Sequence, residues 1–218
     1  MKILRENIKC SPYLGIFSTT TEEIALVPES AESKEIKKFE EALEVEAIKT
    51  SIASSTLIGV LCKGNSKGFI VPEIIEKREI EKLESAGLKI LVLRGTLALG
   101  NLIAVNESKA VLSNAIPKKQ RGEIEKFLKV EAIEAKIAGN ELAGSSMVLT
   151  DKAFIINNKA TEKEFEKIKN FLKIEGIAST ANYGDSYVGN SIIANSKAVI
   201  AGSLTTNIEM QKINEAFG

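Results

Sequence analysis

The chain of 218 residues contains no histidine. Histidine is the usual general base near neutral pH, the usual partner of serine and cysteine nucleophiles, and the commonest ligand of catalytic zinc. Its absence excludes Ser-His-Asp and Cys-His catalytic arrangements. No P-loop pattern for binding phosphate is present, and the acidic residues fall on predicted helix faces or in repeated strands. We therefore predict a protein that is not an enzyme, with no catalytic residues, no metal site and no cofactor.

Cysteine is almost as scarce as histidine. Cys10 and Cys62 are the only two cysteines, and no CxxC motif occurs. Two thiols cannot form a disulfide framework. We expect both to be small, buried or half-buried thiols. A nucleophilic role is the alternative, which the lack of histidine weakens.

Long apolar runs are also missing. No stretch approaches the ~18 apolar residues needed to span a bilayer, and the amino terminus resembles a strand rather than a signal peptide. These features predict a cytoplasmic protein that has no membrane partner.

Neither sign of charge is in excess, because 29 basic residues balance 29 acidic ones. A protein that binds nucleic acid through its phosphates usually carries a basic excess, and aromatic residues make up only 5% of the chain. The one basic cluster, Lys-Lys-Gln-Arg, occupies residues 118–121. A solvated loop is the favoured interpretation of this cluster, and an RNA contact is the alternative. DNA is not expected as a partner.

What the sequence does contain is an internal repeat. Its anchors are five glycines at intervals of 44, 41, 44 and 45 residues, namely Gly15, Gly59, Gly100, Gly144 and Gly189. Each glycine is predicted to open a short apolar strand, which a polar turn connects to a second strand. A helix and a third strand follow. A repeat of this length indicates an architecture in which no unit buries its apolar face alone.

The predicted helices are amphipathic. In the first module Ile36, Phe39 and Leu43 are three and seven residues apart and share one face, while the opposite face is rich in lysine and glutamate. Two helix starts carry predicted capping boxes, Thr161 with Glu164 and Thr206 with Glu209.

The two ends of the chain predict the topology. The last module stops after its helix and lacks a third strand, whereas residues 1–14 precede the first glycine and match the third-strand segment, with Leu4 in the place of Ile48 and Ile133. We therefore expect an α+β fold in which the amino-terminal strand closes a ring of five modules, with the helices outside and the hairpins near the axis. The ring is predicted to be a single domain, 1–218, with repeats at about 15–58, 59–99, 100–143, 144–188 and 189–218 plus 1–14.

Several segments carry a family resemblance. They are Tyr13-Leu14-Gly15, Leu57-Ile58-Gly59-Val60-Leu61, Gly64-Asn65-Ser66-Lys67-Gly68, Ala98-Leu99-Gly100-Asn101, Thr180-Ala181-Asn182-Tyr183-Gly184 and Thr205-Thr206-Asn207-Ile208-Glu209. In order and spacing they resemble the archaeal translation initiation factor 6 family from about residue 8 to the end of the chain. The resemblance implies a pentein fold, a five-bladed α-β propeller.

The resemblance also implies a function. Members of that family bind the intersubunit face of the large ribosomal subunit, next to a ribosomal protein beside the sarcin-ricin loop, and prevent the small subunit from joining. We therefore expect a monomer whose partner is the large subunit, with ribosomal RNA contacted only at the margin and a role in ribosome biogenesis.

The resemblance suggests five docking residues. Asn101 is the first choice, followed by Val60, Leu99, Gly100 and Asn65. Asn101 has a second interpretation as a turn or cap residue, because Asn190 occupies the same position in another repeat, and Val60 has a second interpretation as a core residue. The segment Arg94-Gly95-Thr96-Leu97 replaces a more charged stretch of the family, which places contacts there in question.

Two other functions stay open at the level of sequence. Penteins include enzymes that modify guanidino groups, but these use a cysteine nucleophile with a histidine partner. A ring that serves as a general protein-interaction module is the other alternative.

Overall fold

The computed structural model describes all residues, Met1–Gly218, and contains fifteen strands and ten helices. The strands are β1 (Lys2–Glu6), β2 (Thr19–Thr20), β3 (Ile24–Pro28), β4 (Glu46–Thr50), β5 (Lys63–Asn65), β6 (Gly68–Pro72), β7 (Ile90–Leu93), β8 (Ile103–Val105), β9 (Lys109–Leu112), β10 (Glu131–Glu134), β11 (Met147–Leu149), β12 (Ala153–Asn157), β13 (Glu175–Ser179), β14 (Ile192–Ala194) and β15 (Ala198–Gly202). Five helices are long: α2 (Ser33–Leu43), α4 (Lys77–Ser85), α6 (Lys118–Leu128), α8 (Glu162–Leu172) and α10 (Asn207–Phe217). Five are single turns: α1 (Leu14–Phe17), α3 (Ile58–Leu61), α5 (Leu99–Leu102), α7 (Ala143–Ser146) and α9 (Val188–Ser191).

The strands form five sheets of three strands each, which we call blades 1 to 5. In chain order the blades are β2-β3-β4, β5-β6-β7, β8-β9-β10, β11-β12-β13 and β14-β15-β1. The first two strands of each blade pair antiparallel as a hairpin, and the third lies parallel to the middle strand. Blade 5 takes its third strand from the start of the chain, where β1 pairs with β15 from Lys2 opposite Ala198 to Glu6 opposite Gly202. The predicted closure of a five-bladed ring by the amino-terminal strand is confirmed.

The repeated glycines lie elsewhere than predicted. Each is the second residue of a one-turn helix, and the inner strand begins three or four residues later. A Cβ on Gly100 would lie 1.8 Å from the carbonyl oxygen of Gly59, and a Cβ on Gly15 would lie 1.9 Å from that of Gly189. Every glycine packs in this way on the preceding one, around the whole ring. The glycines are required because five backbones converge at the axis, and the prediction that they open strands was wrong.

The apolar core is divided into five clusters, each between two neighbouring blades. Phe39 and Leu43 of α2, for example, pack with Val27 of blade 1 and Ile200 of blade 5. Burial of each such side chain contributes roughly 1.5–3 kcal/mol. The predicted apolar face of α2 is confirmed, and the inner strands contact each other around the axis, as expected for the hairpins.

Four long helices begin with a capping box. Two of these boxes are the predicted ones, Thr161 with Glu164 and Thr206 with Glu209. The other two, which the sequence analysis did not predict, are Glu32 with Glu35 and Glu76 with Glu79. None of the ten helices combines the length and the apolar character that a membrane span requires.

The ring has two ends. Each inner strand runs from a one-turn helix to a hairpin tip, the middle strand returns, and the long helix then begins. We call the end with the one-turn helices and the starts of the long helices the turn face, and the end with the hairpin tips the hairpin face. The loops from the third strands also reach the turn face.

Candidate docking face

The residue after each repeated glycine surrounds the axis on the turn face. These five residues are Ile16, Val60, Asn101, Ser145 and Asn190. Because α3 contacts α5 and Gly100 packs on Gly59, Val60 and Asn101 occupy equivalent places in neighbouring turns. Both side chains are half-buried. The structure thus brings together the first two residues predicted for docking.

The side chain of Asn101 has no bonding role inside the ring. Its backbone N–H donates to the carbonyl of Ala98 at 3.0 Å, and Ala98, which precedes α5, provides no side-chain cap. Asn190 repeats this pattern, with its N–H bonded to Tyr187 at 2.9 Å. Neither asparagine is a cap residue. The Asn101 amide, which can donate two hydrogen bonds and accept two, is therefore available to a partner.

The other three predicted residues lie below the surface. Leu99 is 0% exposed and packs in the core between blades 2 and 3, and Gly100 is buried against Gly59. The amide nitrogen of Asn65 donates to the carbonyls of Leu128 and Asn106, each at 3.1 Å. Asn65 also lies across β5 from Val60, at a hairpin tip. The side chains of these three residues cannot reach a partner on the turn face.

Apolar side chains that the sequence interpretation did not assign to docking border Val60 and Asn101. Leu57 is 39% exposed, and Ile74 and Leu97 are each 51% exposed. The N–H of Gly95 donates to the Glu73 carboxylate at 2.9 Å, which holds the loop of Leu97 beside that of Ile74. Large exposed apolar side chains grouped on one face mark an interaction surface. Their positions in loops, where apolar residues are not expected, were the available signal.

The loop at residues 94–97 is attached by a different group from its counterparts. At the third position of α4 the Glu79 carboxylate accepts from the N–H groups of Ala53 and Ser54, at 2.8 and 2.9 Å. The corresponding residue of α6 is Gln120, which accepts from the Thr96 hydroxyl at 2.9 Å and donates to the Arg94 carbonyl. The segment 94–97, which departs from the family pattern, is thus held by an uncharged amide and not by a carboxylate.

Carboxylates hold three of the loops, and the hydrogen bonds to these loops shift the pKa values of the carboxyl groups. Burial alone would raise the pKa of the Glu79 carboxyl, but hydrogen bonds from Ser51 and from three backbone N–H groups hold that pKa below its ordinary value. The pKa values of Glu164 and Glu209 are lowered in the same way, against the effect of burial, by hydrogen bonds to their loops and helix starts.

The basic cluster at residues 118–121 divides into two parts. Arg121 donates to the Ile116 carbonyl at 2.7 Å and pairs with Glu134, so it is structural. Lys118 and Lys119 are exposed at the start of α6, on the turn face. Only these two residues of the cluster are placed to contact RNA.

A second apolar group lies on the turn face near the ring closure. It consists of Tyr13, Tyr183, Leu204 and Ile208, of which Tyr183 is 84% and Ile208 73% exposed. The Asn182 amide donates to the Pro12 carbonyl at 2.8 Å and joins the loops that carry the two tyrosines.

The two cysteines differ in environment. Cys62 is buried, and burial raises the pKa of its thiol, which makes it a poor nucleophile. Cys10 is exposed, contrary to the expectation that both thiols would be at least half-buried.

The cavities along the ring axis have volumes of only about 30 and 20 Å³, close to the size of one water molecule. No group of three His, Cys, Asp or Glu residues is placed to hold a metal ion.

The sequence comparisons with known proteins agree on one family. A model described as the eIF-6 family matches residues 3–216. Translation initiation factor 6 of Pyrococcus horikoshii is 35% identical over 100% of this chain and 99% of that protein. Proteins of the same name from Picrophilus torridus and Thermococcus kodakarensis are 35% and 37% identical, with at least 99% of each chain covered. Among solved structures, DDAH from Pseudomonas aeruginosa aligns with a TM-score of 0.47 and 15% identity over 93% of this chain and 71% of its own.

Proposed function

Because the chain belongs to the eIF-6 family of translation factors, we propose that it binds the intersubunit face of the large ribosomal subunit and sterically prevents the small subunit from joining. As a translation factor it is not an enzyme, which rules out the guanidino-modifying alternative. Two ligands that cover the same surface exclude each other without a conformational change, which is negative coupling in its simplest form. A monomeric ring closed at its seam is a suitable rigid obstacle.

The observation that carries this proposal is the free Asn101 amide, with Val60 beside it and the apolar rim of Leu57, Ile74 and Leu97 around it. Protein–protein interfaces combine apolar side chains with direct hydrogen bonds between the partners, and this surface offers both. A standard interface covers roughly 800 Å² on each partner.

The partner we propose for this surface is a ribosomal protein beside the sarcin-ricin loop. Lys118 and Lys119 lie at the edge of the same side of the ring and would supply the marginal contact with ribosomal RNA. The balanced charge of the chain agrees with a mainly protein partner. Leu99 and Gly100 hold the α5 turn from below, and Asn65 takes no part in this contact. The cytoplasmic location follows from the proposed partner.

The test is sedimentation of the purified protein with separated ribosomal subunits. We expect it to co-sediment with large subunits only and to reduce the fraction of joined particles. Asn101→Ala should weaken co-sedimentation about tenfold or more, since a buried interfacial hydrogen-bonding group is lost.

Asn190→Ala is the matched control, because Asn190 has the same backbone position and the same free amide on a different part of the ring. Equal losses in both variants would contradict the assignment of the surface. Subunit joining that is unaffected by the wild-type protein would contradict the proposed function itself.

A further inference from the structure

A basic groove lies between blades 2 and 3, away from the turn face. Its volume is about 460 Å³, and it is lined by Lys67, Lys89, Leu91, Glu123, Lys126, Phe127 and Lys129. These residues come from a hairpin tip, the start of β7 and the end of α6, so the groove opens at the hairpin face. Four positive charges and one negative charge meet there, in a protein whose total charge is zero.

None of the four lysines is paired with a carboxylate. The ion pairs of the chain involve other residues, and the one bond of a groove ammonium is from Lys67 to the Ser66 hydroxyl at 3.1 Å. Lys126 lies three residues after Glu123 and Lys129 four residues after Glu125, which are spacings that allow ion pairs on a helix, yet neither pair forms. In this groove three separate segments bring the same charge together.

At the equivalent place between blades 3 and 4, a lysine of the chain itself covers the aromatic ring. There the ring of Phe171 is covered by Lys109, whose ammonium lies 4.6 Å from the ring centroid and donates to the Phe171 carbonyl at 2.6 Å. Lys109 begins the middle strand of blade 3, and the residue that begins the middle strand of blade 2 is Gly68. A Cβ on Gly68 would lie 2.7 Å from the Phe127 ring. Phe127 is therefore left without an intramolecular cation above it.

We propose that this groove binds single-stranded RNA, with one base stacked on Phe127 and the flanking phosphates held by Lys67, Lys89, Lys126 and Lys129. Positively charged grooves that combine lysines with an aromatic platform bind single strands in this way, because every base has a π-face and every phosphate a charge. The volume lies within the range of about 300–1,000 Å³ common for ligand pockets. The site is separate from the turn face, so RNA and the proposed ribosomal partner can be bound together.

The test is fluorescence anisotropy with a labelled ten-nucleotide oligouridylate and no ribosome present, so its result is independent of the proposed function. We expect saturable binding. The logarithm of the association constant should fall linearly with the logarithm of the salt concentration, with a slope of about −2 to −3, as for three or four phosphates on a single strand. Lys89→Glu with Lys126→Glu should lower the affinity at least about tenfold. Lys163→Glu with Lys212→Glu, the same change at two exposed lysines outside the groove, should have little effect.

The aromatic platform is tested separately. Phe127→Leu, which keeps an apolar side chain against the core, should weaken binding about five- to tenfold, and Phe127→Tyr should retain it. Phe171→Leu, at the covered ring, should leave binding unchanged. The proposal would be overturned if the two leucine variants had equal effects or if no saturable binding were seen. It would also be overturned if polyglutamate displaced the RNA as effectively as unlabelled RNA does. The last result would assign the groove to an acidic peptide.

Discussion

The same tripeptide, Asn-Ser-Lys, forms the hairpin tips of blades 2 and 5, and the two tips end differently. Asn195 donates to the Leu43 carbonyl at 2.8 Å, and Asn65 donates to the equivalent Leu128 carbonyl at 3.1 Å. The N–H groups of the two serines donate to Glu22 and to Glu107, each at 2.8 Å. Up to this point the tips are superimposable in their bonding.

The lysines separate the two tips. Lys197 donates to the carbonyls of Glu22 and Glu44, at 3.1 and 3.0 Å, and fastens blade 5 to blade 1. Lys67 has no such bond and faces the basic groove. A side chain that makes the same bond in several blades belongs to the scaffold, whereas one that recurs in sequence without its bond is free for another use. Substitutions at shared and at unshared positions should therefore differ in their effects on stability and on binding.

The largest effect is expected at a position shared by all blades. Gly100→Ala places a methyl group 1.8 Å from the Gly59 carbonyl oxygen, in backbone that cannot move without opening the ring. We expect the free energy of unfolding in urea to fall by about 3 kcal/mol.

Gly122→Ala is the matched control, because Gly122 is exposed within α6 and a Cβ there meets no atom within 4 Å. This variant should be more stable than the wild type by about 0.5–1 kcal/mol, owing to the helix propensity of alanine. A destabilised Gly122→Ala, or a tolerated Gly100→Ala, would contradict the assignment of close backbone packing to Gly100 and of open space to Gly122.

The next effect is expected at the asparagines of the two tips. Asn65→Ala and Asn195→Ala each leave buried carbonyl groups without a donor, which costs about 1–3 kcal/mol. If the asparagines have the same role, the two losses in thermal or urea unfolding should agree within about 0.5 kcal/mol. A much larger loss for Asn195→Ala would mean that the seam of the ring is weaker than its other interfaces.

Most of the fold could be predicted from the sequence. The period of the glycines, the apolar face of α2 and the capping boxes of α8 and α10 all depend on local spacing, which a sequence displays directly. Closure by β1 followed from counting the strand missing after α10. The position of the glycines was predicted wrongly, because their requirement is set by the neighbouring blade and not by the residues beside them.

Less of the candidate site could be predicted. Asn101 and Val60 are docking candidates through family resemblance alone. Asn65 is a candidate by the same resemblance, although its amide is occupied by carbonyls from other segments. The rim of Leu57, Ile74 and Leu97 and the groove around Phe127 each assemble from segments well separated in the chain. Linear patterns do not show such groups, because their members meet only after the ring has closed.

A smaller effect compares the charged loop anchors with the neutral one. The pKa of Glu209 is lower in the folded protein than in the unfolded chain, so its contribution to stability is present above the ordinary carboxyl pKa of about 4.3 and is lost as pH falls through the lower folded value. Glu209→Gln removes this titration. The free energy of unfolding should therefore fall less steeply on acidification in this variant than in the wild type.

The control for that measurement is already present in the chain, since Gln120 holds the loop at residues 94–97 without a charge. Gln120→Glu should lower stability at neutral pH, because a carboxylate cannot donate to the Arg94 carbonyl as the Gln120 amide does, and part of this loss should be recovered in acid when the carboxyl group takes up a proton. Identical acid profiles for wild type, Glu209→Gln and Gln120→Glu would show that the loop anchors do not contribute to acid unfolding.

The smallest effect lies at the two lysines that distinguish the tips. Lys197→Met removes two hydrogen bonds to carbonyls at the seam and should lower the free energy of unfolding by about 0.5–1 kcal/mol, without changing RNA affinity. Lys67→Met removes no bond to another blade. It should leave stability within about 0.5 kcal/mol of the wild type and lower the affinity for oligouridylate severalfold. Methionine preserves the apolar stem of either side chain, so both variants report on the ammonium group. The two variants should therefore give opposite results in the two assays. A loss of stability in Lys67→Met, or a loss of RNA binding in Lys197→Met, would contradict the assignment of Lys197 to the scaffold and of Lys67 to the groove.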